Sequence, residues 1–489
     1  MKLDWSSLLS HKRASHIGPS KQADVADAFE FRTPWERDYD RILFSTPVRR
    51  LADKTQVFPL ERHDSVRTRL THSHEVSNLA RSIGIRLVHS MPQLSSIDGI
   101  SRIVPPILGA VGLAHDLGNP PFGHKGERAI QSWFARNASI FDPSAEANAS
   151  EQVQRDLERI TPAMKADFFG FEGNAQTFRL LSRLQRSTDD RGLNLTFATL
   201  AAVLKYPVDS ANVDRGDSSH PARKKHGYFQ SEADVVARIQ NETGLINGVR
   251  HPLTWLMEAC DDIAYLVLDA EDAIKKTLVS PADLFAYLDA HAPNDPLTKQ
   301  MTESGRGIHQ ESRQHNLSPS ELGDVTAQRF RANAITVLVD AAARAFERGY
   351  PEIMSGAQAT DLIKSSDAKA FAKALRSFDK EHAYLHRSVT ALEVKGSNTI
   401  TLLMDLLWEG ITNRRRFDEP KSERRTPFAD YAYHRISENY RRIFEGGFES
   451  GRVLPIRYRE AQLLTDMVSG MTDNYMIDLT KELRQLRGA

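Results

Sequence analysis

The sequence predicts a mainly α-helical protein. Segments with apolar residues at helical spacing recur along most of the chain, whereas the alternation typical of strands is rare, with a short exception near residues 388–394. Glycine and proline mark the ends of several of these segments. The expected helices are 73–89, 103–116, 125–135, 174–184, 196–204, 252–276, 328–348 and 400–408.

The first of these helices begins beside a candidate metal ligand, His72. In the run RTRLTHSHEV (67–76), Thr71 or Ser73 can cap the helix, with Glu75 favourably placed in its first turn. His74 lies two residues further on, about 200° around the helix, so the two histidines cannot easily share one cation. We therefore expect His72 to be the ligand and His74 to be an ordinary surface or supporting residue.

The second expected helix ends at a His-Asp pair. His115 and Asp116 follow the apolar stretch 103–113, and a Gly-Asn-Pro-Pro breaker comes next at 118–121. Neighbouring helical residues point about 100° apart, so both side chains can reach one cation only near an exposed helix end. The breaker supplies such an end.

His124 and Glu127 open the next helix. They are three residues apart and lie on one side of it. A carboxylate that contacts an imidazole orients it and raises its basicity, which suits a general acid or base. The same spacing also fits a helix cap, and the residues alone do not separate the two interpretations.

Three cation or hydroxyl donors follow in the middle of the chain. Lys205 and Tyr206 end the run GLNLTFATLAAVLKYP (192–207), and Lys225 lies in KKHGYF (224–229). They suit a polyphosphate, although isolated lysines near loops are usually solvated.

The helix at 252–276 carries acidic residues on an apolar background. Asp261, Tyr265 and Asp269 fall on one stripe, and Asp262 fits the same stripe equally well. Polar groups on an apolar helix need partners, either a cation and a ligand or hydrogen bonds between helices. Spacing does not choose between Asp261 and Asp262.

Taken together, two distant histidines and two distant carboxylates form a candidate metal-ligand set. Imidazole and carboxylate ligands suit a divalent cation such as Mn²⁺, Fe²⁺, Zn²⁺ or Mg²⁺. A site of this kind with open positions is what metal-assisted phosphoester hydrolysis requires.

Polar stretches at 137–154, 209–220 and 292–318 are expected to be surface loops or insertions, and the basic cluster at 223–226 a solvated face. A later basic region, 414–416 with 424–425, has aromatic neighbours and can grip single-stranded nucleic acid, although a solvated surface or a subunit contact is the better interpretation. We find no fixed-period repeat.

Composition narrows the class of protein. The chain has 489 residues without an obvious linker, and its 64 basic and 64 acidic residues cancel, so attraction of the whole molecule to DNA is not supported. No window approaches the roughly 20 apolar residues of a membrane span. The single cysteine, Cys260, excludes an internal disulfide and fits a reducing compartment. We expect a cytoplasmic protein with no membrane partner.

Several motifs in order resemble one family. RTRLTHS, AHDLGNPPFGHKGE, FEGNAQ, LKYP, KHGYF, HPLTWLMEACDDIAYLVLDAEDA and SGMTDNY are similar to those of the deoxyguanosine-triphosphate triphosphohydrolases of the HD-domain superfamily, over residues 32–475. The resemblance implies an all-α fold: an N-terminal segment (1–60) packed on an HD-domain helical core (61–280), followed by a helical C-terminal region (281–489). It also implies a homo-oligomer, with a hexamer favoured, and one divalent cation per site. Mn²⁺ or Mg²⁺ is favoured, and Fe, Co, Ni or Zn are also compatible.

The resemblance also assigns residues. It implies that the metal ligands are His72, His115, Asp116 and Asp261, and that the catalytic pair is His124 and Glu127. The implied substrate-binding residues are Gln56, Arg69, Asn174, Lys205, Tyr206, Lys225, Tyr265 and Asp269. The chain departs from the family at His74 and His226, neither of which is a motif ligand.

The implied reaction is hydrolysis of a deoxynucleoside triphosphate, dGTP first, to the deoxynucleoside and inorganic triphosphate. Within it, Tyr265 excludes a 2′-hydroxyl and Asp269 accepts a hydrogen bond from the 3′-hydroxyl. One alternative is another HD phosphohydrolase acting on nucleotide mono- or cyclic phosphates. The other is a nucleotide-regulated nucleic-acid-binding protein, and single-stranded DNA or a nucleotide effector is a candidate partner.

Overall fold

The fold is all-α, as the sequence predicts. The computed structural model describes residues 2–16, 30–60, 65–146, 150–185, 191–216, 220–446 and 454–488. Among these residues β-structure is limited to isolated bridges, such as the one between Thr55 and Thr68, and no helix is long and apolar enough to cross a membrane. The helices are α1 (Trp5–Leu8), α2 (Pro34–Leu43), α3 (Thr46–Arg50), α4 (Arg69–Ser90), α5 (Pro92–Ser95), α6 (Val104–Ala114), α7 (Gly123–Arg136), α8 (Glu151–Glu158), α9 (Pro162–Phe169), α10 (Gly173–Arg179), α11 (Phe197–Val203), α12 (Ala233–Thr243), α13 (Pro252–Lys275), α14 (Pro281–His291), α15 (Pro296–Ser312), α16 (Pro319–Arg348), α17 (Tyr350–Ser355), α18 (Leu362–Ser365), α19 (Lys369–Asp379), α20 (Arg387–Thr412), α21 (Pro427–His434), α22 (Glu438–Gly446), α23 (Ile456–Ser469) and α24 (Asp473–Arg487).

All eight expected helices are present, but two other expectations are wrong. The alternation near 388–394 is not a strand: it opens α20, whose buried Val389, Gly396, Ile400 and Leu403 follow helical spacing. The segment 292–318 is not a loop, because it contains α15. Asp295 caps that helix by accepting a hydrogen bond from the amide of Thr298.

The other two polar stretches are mostly irregular. Within 137–154 the chain forms 3₁₀ turns before α8 begins, and 209–220 contains one 3₁₀ turn, Ser210–Asn212. Residues 147–149 and 217–219 of these stretches lie outside the described residues.

The start of α4 also differs from the expectation. The helix begins at Arg69 with Thr68 as its N-cap, rather than after Thr71 or Ser73. Thr71 still takes part, because its hydroxyl accepts a hydrogen bond from the amide of Thr68 at 3.0 Å. His72 therefore lies inside the first turn of the helix, where its position is fixed, while His74 is exposed as expected.

The close crossing of α4 and α6 sets the position of the site. An added Cβ at Gly112 of α6 would lie 2.8 Å from the Cα of Ser77 in α4, so only glycine permits this approach. Helix α13 packs against α4, α6 and α16. The core cluster extends from Leu3 to Leu483 and includes buried side chains from all three predicted segments of the chain. The boundaries of those segments remain a prediction.

Candidate metal centre and active-site cavity

Three helices bring two histidines and one carboxylate together. His72 from α4 and His115, at the C-terminal end of α6, have ring centroids 5.4 Å apart. Asp261 of α13 completes the group, with its Oδ1 3.2 Å from the Nε2 of His72 and 3.4 Å from that of His115. One ligand atom from each residue lies within 4.8 Å of the others, a spacing that fits a single cation.

The geometry separates the two carboxylates that spacing left equal. Asp262 does not contact the histidines, and its Oδ1 lies 3.2 Å from a guanidinium nitrogen of Arg376. Asp116 lies at the edge of the cluster, with Oδ1 3.5 Å from the Nε2 of His115. Its carboxylate also accepts hydrogen bonds from Arg69 and from the side chain of Asn119.

The charges of the cluster fit a divalent cation. The Nδ1 of His115 lies 2.7 Å from the carbonyl of Gly112, which assigns the proton to Nδ1 and turns Nε2 toward the carboxylates. That Nε2 is buried and has no hydrogen-bond partner. Burial alone would lower the pKa of His115, but Asp116 and Asp261 raise it to about 9. A divalent cation would give this Nε2 a partner and would offset the negative charge of the two carboxylates.

The carboxylates of the cluster are held ionised. Burial would raise the pKa of Asp116, yet Arg69 and His115 lower it to about 2. The pKa of Asp261 likewise lies well below its usual value, because His115 and His72 outweigh its burial. Both carboxylates are therefore charged at neutral pH.

His124 and Glu127 form a pair and not a helix cap. The Nδ1 of His124 lies 3.0 Å from the Oε2 of Glu127, and the other oxygen of Glu127 accepts from the amide of Gly173 at 2.7 Å. The N-cap of α7 is Phe122, which makes no side-chain capping bond, so the capping interpretation is wrong. The His124 side chain is 72% exposed and Glu127 is buried behind it.

A cavity of about 550 Å³ opens beside the cluster. Its walls include nine of the predicted site residues: Gln56, Arg69, His115, Asp116, His124, Asn174, Lys205, Asp261 and Tyr265. The other five lie outside these walls. His72 is buried within the cluster and Glu127 is buried behind His124, whereas Tyr206, Lys225 and Asp269 contact other side chains.

Each of these last three has a defined partner. The ring centroid of Tyr206 lies 6.0 Å from the Nζ of Lys205 and 5.7 Å from the guanidinium carbon of Arg250. Lys225 donates to Glu172 at 2.6 Å. Asp269 accepts a hydrogen bond from the hydroxyl of Tyr384 at 2.5 Å.

Lys205 is a cation of the cavity wall that lies close to the cluster. Its Nζ lies 3.5 Å from Oε1 of Glu258 and 3.8 Å from Oδ2 of Asp261. Burial would lower the pKa of Lys205, but these two carboxylates raise it above its usual value. The side chain is thus a permanent positive charge facing the cavity.

Sequence reasoning missed the part of the cavity wall that comes from the C-terminal region. Tyr384, Val389 and Glu393 all face the cavity. Tyr384 ends a π-helical turn, Lys380–Tyr384, and its ring centroid lies 5.3 Å from that of Tyr265. No pattern in the sequence predicts this contact. Val389 and Glu393 lie in the segment where the sequence predicts a strand.

The basic cluster at 223–226 is only partly a solvated face. Arg223 and Lys224 are exposed, but Lys225 is paired with Glu172 and His226 is buried. Burial lowers the pKa of His226 to about 4, so this histidine is neutral.

The later basic region is likewise only partly a solvated face: Arg415, Arg416 and Arg425 are exposed, but Arg414 and Arg424 are buried. Arg414 is buried in an ion pair with Glu460, and Arg424 stacks on Tyr433 with its guanidinium carbon 3.3 Å from the ring centroid. Two of the basic side chains therefore hold the C-terminal helices together.

Replacing Arg414 with methionine should destabilise the protein by up to about 3–5 kcal/mol, because it leaves the buried Glu460 with Arg457 as its remaining ionic partner and removes hydrogen bonds to the carbonyls of Ile411 and Phe417. Arg415→Met is the matched control: its ion pair with Glu423 is exposed, so a loss of no more than about 1 kcal/mol is expected. Denaturant unfolding of both variants measures the difference. Equal losses in the free energy of unfolding would show that the buried ion pair contributes no more to stability than the exposed one.

The C-terminal motif SGMTDNY braces the loop that follows the His-Asp pair. The buried ammonium of Lys54 donates to the carbonyls of Asn119 and Ser469, each at 2.7 Å. Asp473 accepts from the amides of Thr55 at 3.0 Å and Phe122 at 3.2 Å. Residues from three distant parts of the chain therefore fix one loop of the site.

The fold and the site thus define an all-helical protein with a candidate divalent-cation centre in a polar cavity. No family model matches the chain. Curated relatives do match it over nearly its full length. A Listeria monocytogenes protein named deoxyguanosinetriphosphate triphosphohydrolase-like is 34% identical over 490 residues, covering 99% of this chain and 100% of the relative. A Synechocystis protein with the same name is 35% identical over 506 residues, covering 99% of each chain.

A Yersinia pestis deoxyguanosinetriphosphate triphosphohydrolase is 32% identical over 525 residues, covering 100% of this chain and 99% of the relative. The chain belongs to the deoxyguanosinetriphosphate triphosphohydrolase family, which is a family of enzymes.

Proposed function

We propose that this protein hydrolyses deoxynucleoside triphosphates, with dGTP as the first candidate, to the deoxynucleoside and inorganic triphosphate. The observation that carries the proposal is the cluster of His72, His115 and Asp261 beside a cavity that also presents Arg69 and Lys205. The names of the relatives support the same substrate and product.

The cation would be held by the imidazoles of His72 and His115 and by the carboxylates of Asp116 and Asp261, with Mn²⁺ or Mg²⁺ favoured. When bound, it supplies Lewis-acid chemistry at a phosphate oxygen. The buried, unpartnered Nε2 of His115 supports its inclusion among the ligands.

The remaining residues bind the substrate and move protons. His124, held by Glu127, is exposed to the cavity and would protonate the 5′ oxygen as it leaves. Arg69 and Lys205 would neutralise the triphosphate as its charge shifts in the transition state. Lys225 would join them after moving from the position that it holds beside Glu172.

The sugar would lie against Tyr265, one helical turn beyond Asp261 on α13. The ring of Tyr265 faces the cavity, so a 2′-hydroxyl would meet it. Asp269 lies behind this ring, with Oδ2 engaged by Tyr384. Its other oxygen, Oδ1, is the one that we propose as acceptor for the 3′-hydroxyl.

Replacing Tyr265 with alanine should raise the kcat/KM for GTP relative to that for dGTP, because the space for a 2′-hydroxyl opens. The change should amount to a few kcal/mol at most, about the scale at which a site penalises one misplaced polar group. Tyr265→Phe keeps the ring and should keep the wild-type ratio. An unchanged ratio in a Tyr265→Ala protein that still hydrolyses dGTP would assign the exclusion to another residue.

Product analysis tests the proposed function itself. Each deoxynucleoside triphosphate is incubated with the protein and Mn²⁺ or Mg²⁺, singly and mixed, and the phosphates are separated by ion chromatography. Inorganic triphosphate with an equal amount of deoxynucleoside is the expected result. Release of monophosphate or pyrophosphate would contradict the proposal and favour a different phosphohydrolase.

A further inference from the structure

A short segment at the start of α10 contacts three parts of the site. The carboxylate of Glu172 accepts a hydrogen bond from the Nζ of Lys225 at 2.6 Å. The amide of the next residue, Gly173, donates to Glu127 at 2.7 Å. Asn174 then faces the cavity. Glu172 thus lies between the lysine proposed for the triphosphate and the carboxylate that holds His124.

The position of this segment is fixed by close packing. An added Cβ at Gly173 would lie 2.1 Å from the Oδ1 of Asn119 and 2.8 Å from the Oε1 of Glu127. Glu172 itself is the N-cap residue of α10 but makes no capping bond, so its carboxylate is free to serve Lys225. The backbone position at Glu172 therefore places its carboxylate beside the ammonium of Lys225.

Lys225 is held away from the cavity in this arrangement. Lys205 forms part of the cavity wall, whereas Lys225 does not, and 27% of its side chain remains exposed. A phosphate in the cavity can therefore gain Lys225 only if the ammonium leaves Glu172.

The electrostatics favour such an exchange. Burial and the nearby Glu127 raise the pKa of Glu172 to about 7, while Lys225 and His124 oppose that rise. Burial would lower the pKa of Lys225, but Glu127 and Glu172 raise it, so the lysine stays charged. The carboxylates of Glu127 and Glu172 both interact with the ammonium of Lys225. Of the two, Glu172 is the one whose ionised form is less well stabilised.

We propose that Glu172 is a positioning residue that holds Lys225 in place of a phosphate and gives it up when a triphosphate binds. The inference rests on the proposed function, which gives Lys225 its phosphate-binding role. Glu172 and the triphosphate then compete for one cation. The competition weakens binding of the inorganic triphosphate product and so favours its release.

The test measures binding of inorganic triphosphate to the full-length protein by isothermal titration calorimetry, with the same divalent cation throughout. Glu172→Gln removes the competing charge and keeps the side-chain size. We expect this variant to bind the probe about three- to tenfold more tightly, the scale on which a charged hydrogen bond exceeds a neutral one. A purely structural role would give weaker binding instead.

A double-mutant cycle shows whether the effect acts through Lys225. Glu172→Gln in a Lys225→Met background should leave the affinity unchanged, because the lysine for which the two groups compete is gone. Affinity that is equal or weaker in the single Glu172→Gln variant overturns the proposal. So does a gain that persists without Lys225.

A second measurement needs no change at Glu172. The ratio of the affinities of wild type and Lys225→Met is compared at pH 6.5 and pH 8, so that the titration of the probe cancels. Protonation of Glu172 at the lower pH frees Lys225, and the ratio should rise there; the other ionisable groups that face Glu172 are Glu127 and His124. Equal ratios at the two pH values contradict the proposal.

The two proposals fail in different ways. If wild type releases no inorganic triphosphate from any deoxynucleoside triphosphate, the proposed function is wrong. If it releases this product but Glu172→Gln does not tighten binding of the probe, only the inference about Glu172 is wrong.

Discussion

Replacing Asp261 with asparagine should remove the bound cation and abolish measurable turnover while the chain stays folded. One oxygen of Asp261 lies within 3.4 Å of both His72 and His115, so an amide there loses the charge at the centre of the cluster. The fall in cation affinity should exceed the roughly 10- to 100-fold cost of losing a ligand's supporting partner. Metal content by mass spectrometry, release of inorganic triphosphate and thermal unfolding measure the three quantities.

The neighbouring residue supplies the matched control. Asp262 is in the same helix but contacts Arg376, so Asp262→Asn should keep its metal. Wild-type metal content and activity in the Asp261→Asn protein would contradict the hypothesis of a cation site. Equal metal loss in both variants would point to disturbance of α13 and not to loss of a ligand.

Replacing His124 with alanine should lower kcat by roughly 10²- to 10⁴-fold, the usual contribution of a positioned acid or base. Metal content and affinity for inorganic triphosphate should change little, because His124 lies beyond the cluster and its side chain contacts Glu127. Steady-state kinetics with metal analysis separate these effects.

His74→Ala is the control for this variant, since His74 is exposed on α4 and should leave activity unchanged. The role assigned to His124 would be wrong if His124→Ala lost its metal and recovered normal turnover once metal was restored.

The positions of residues near helix ends could be predicted from the sequence, because helix breakers and helical spacing along the chain determine them. The apolar run before His115 and the breaker after Asp116 predict an accessible helix end, and α6 does end there. The i, i+3 spacing likewise predicts the contact between His124 and Glu127.

Contacts between distant segments could not be placed in this way. Asp261 and Asp262 each fit the helical spacing of Tyr265 and Asp269, so spacing does not distinguish them, whereas the packing of α13 against α4 and α6 does. Glu172 and Lys225 are 53 residues apart, and Tyr384 reaches the site through a π-helical turn. Periodicity carries no information about such pairs, because tertiary packing decides them.

The hydrogen bond between Lys54 and Ser469 should also affect when the newly made chain becomes active. It joins positions 415 residues apart, and the loop that it braces lies beside the His-Asp pair. Because the chain is synthesised from its N-terminus, the four proposed metal ligands leave the ribosome long before the C-terminal residues that brace this loop. The nascent chain should therefore stay inactive until its last helices have docked, so that a prematurely terminated product carries all four proposed ligands and no activity.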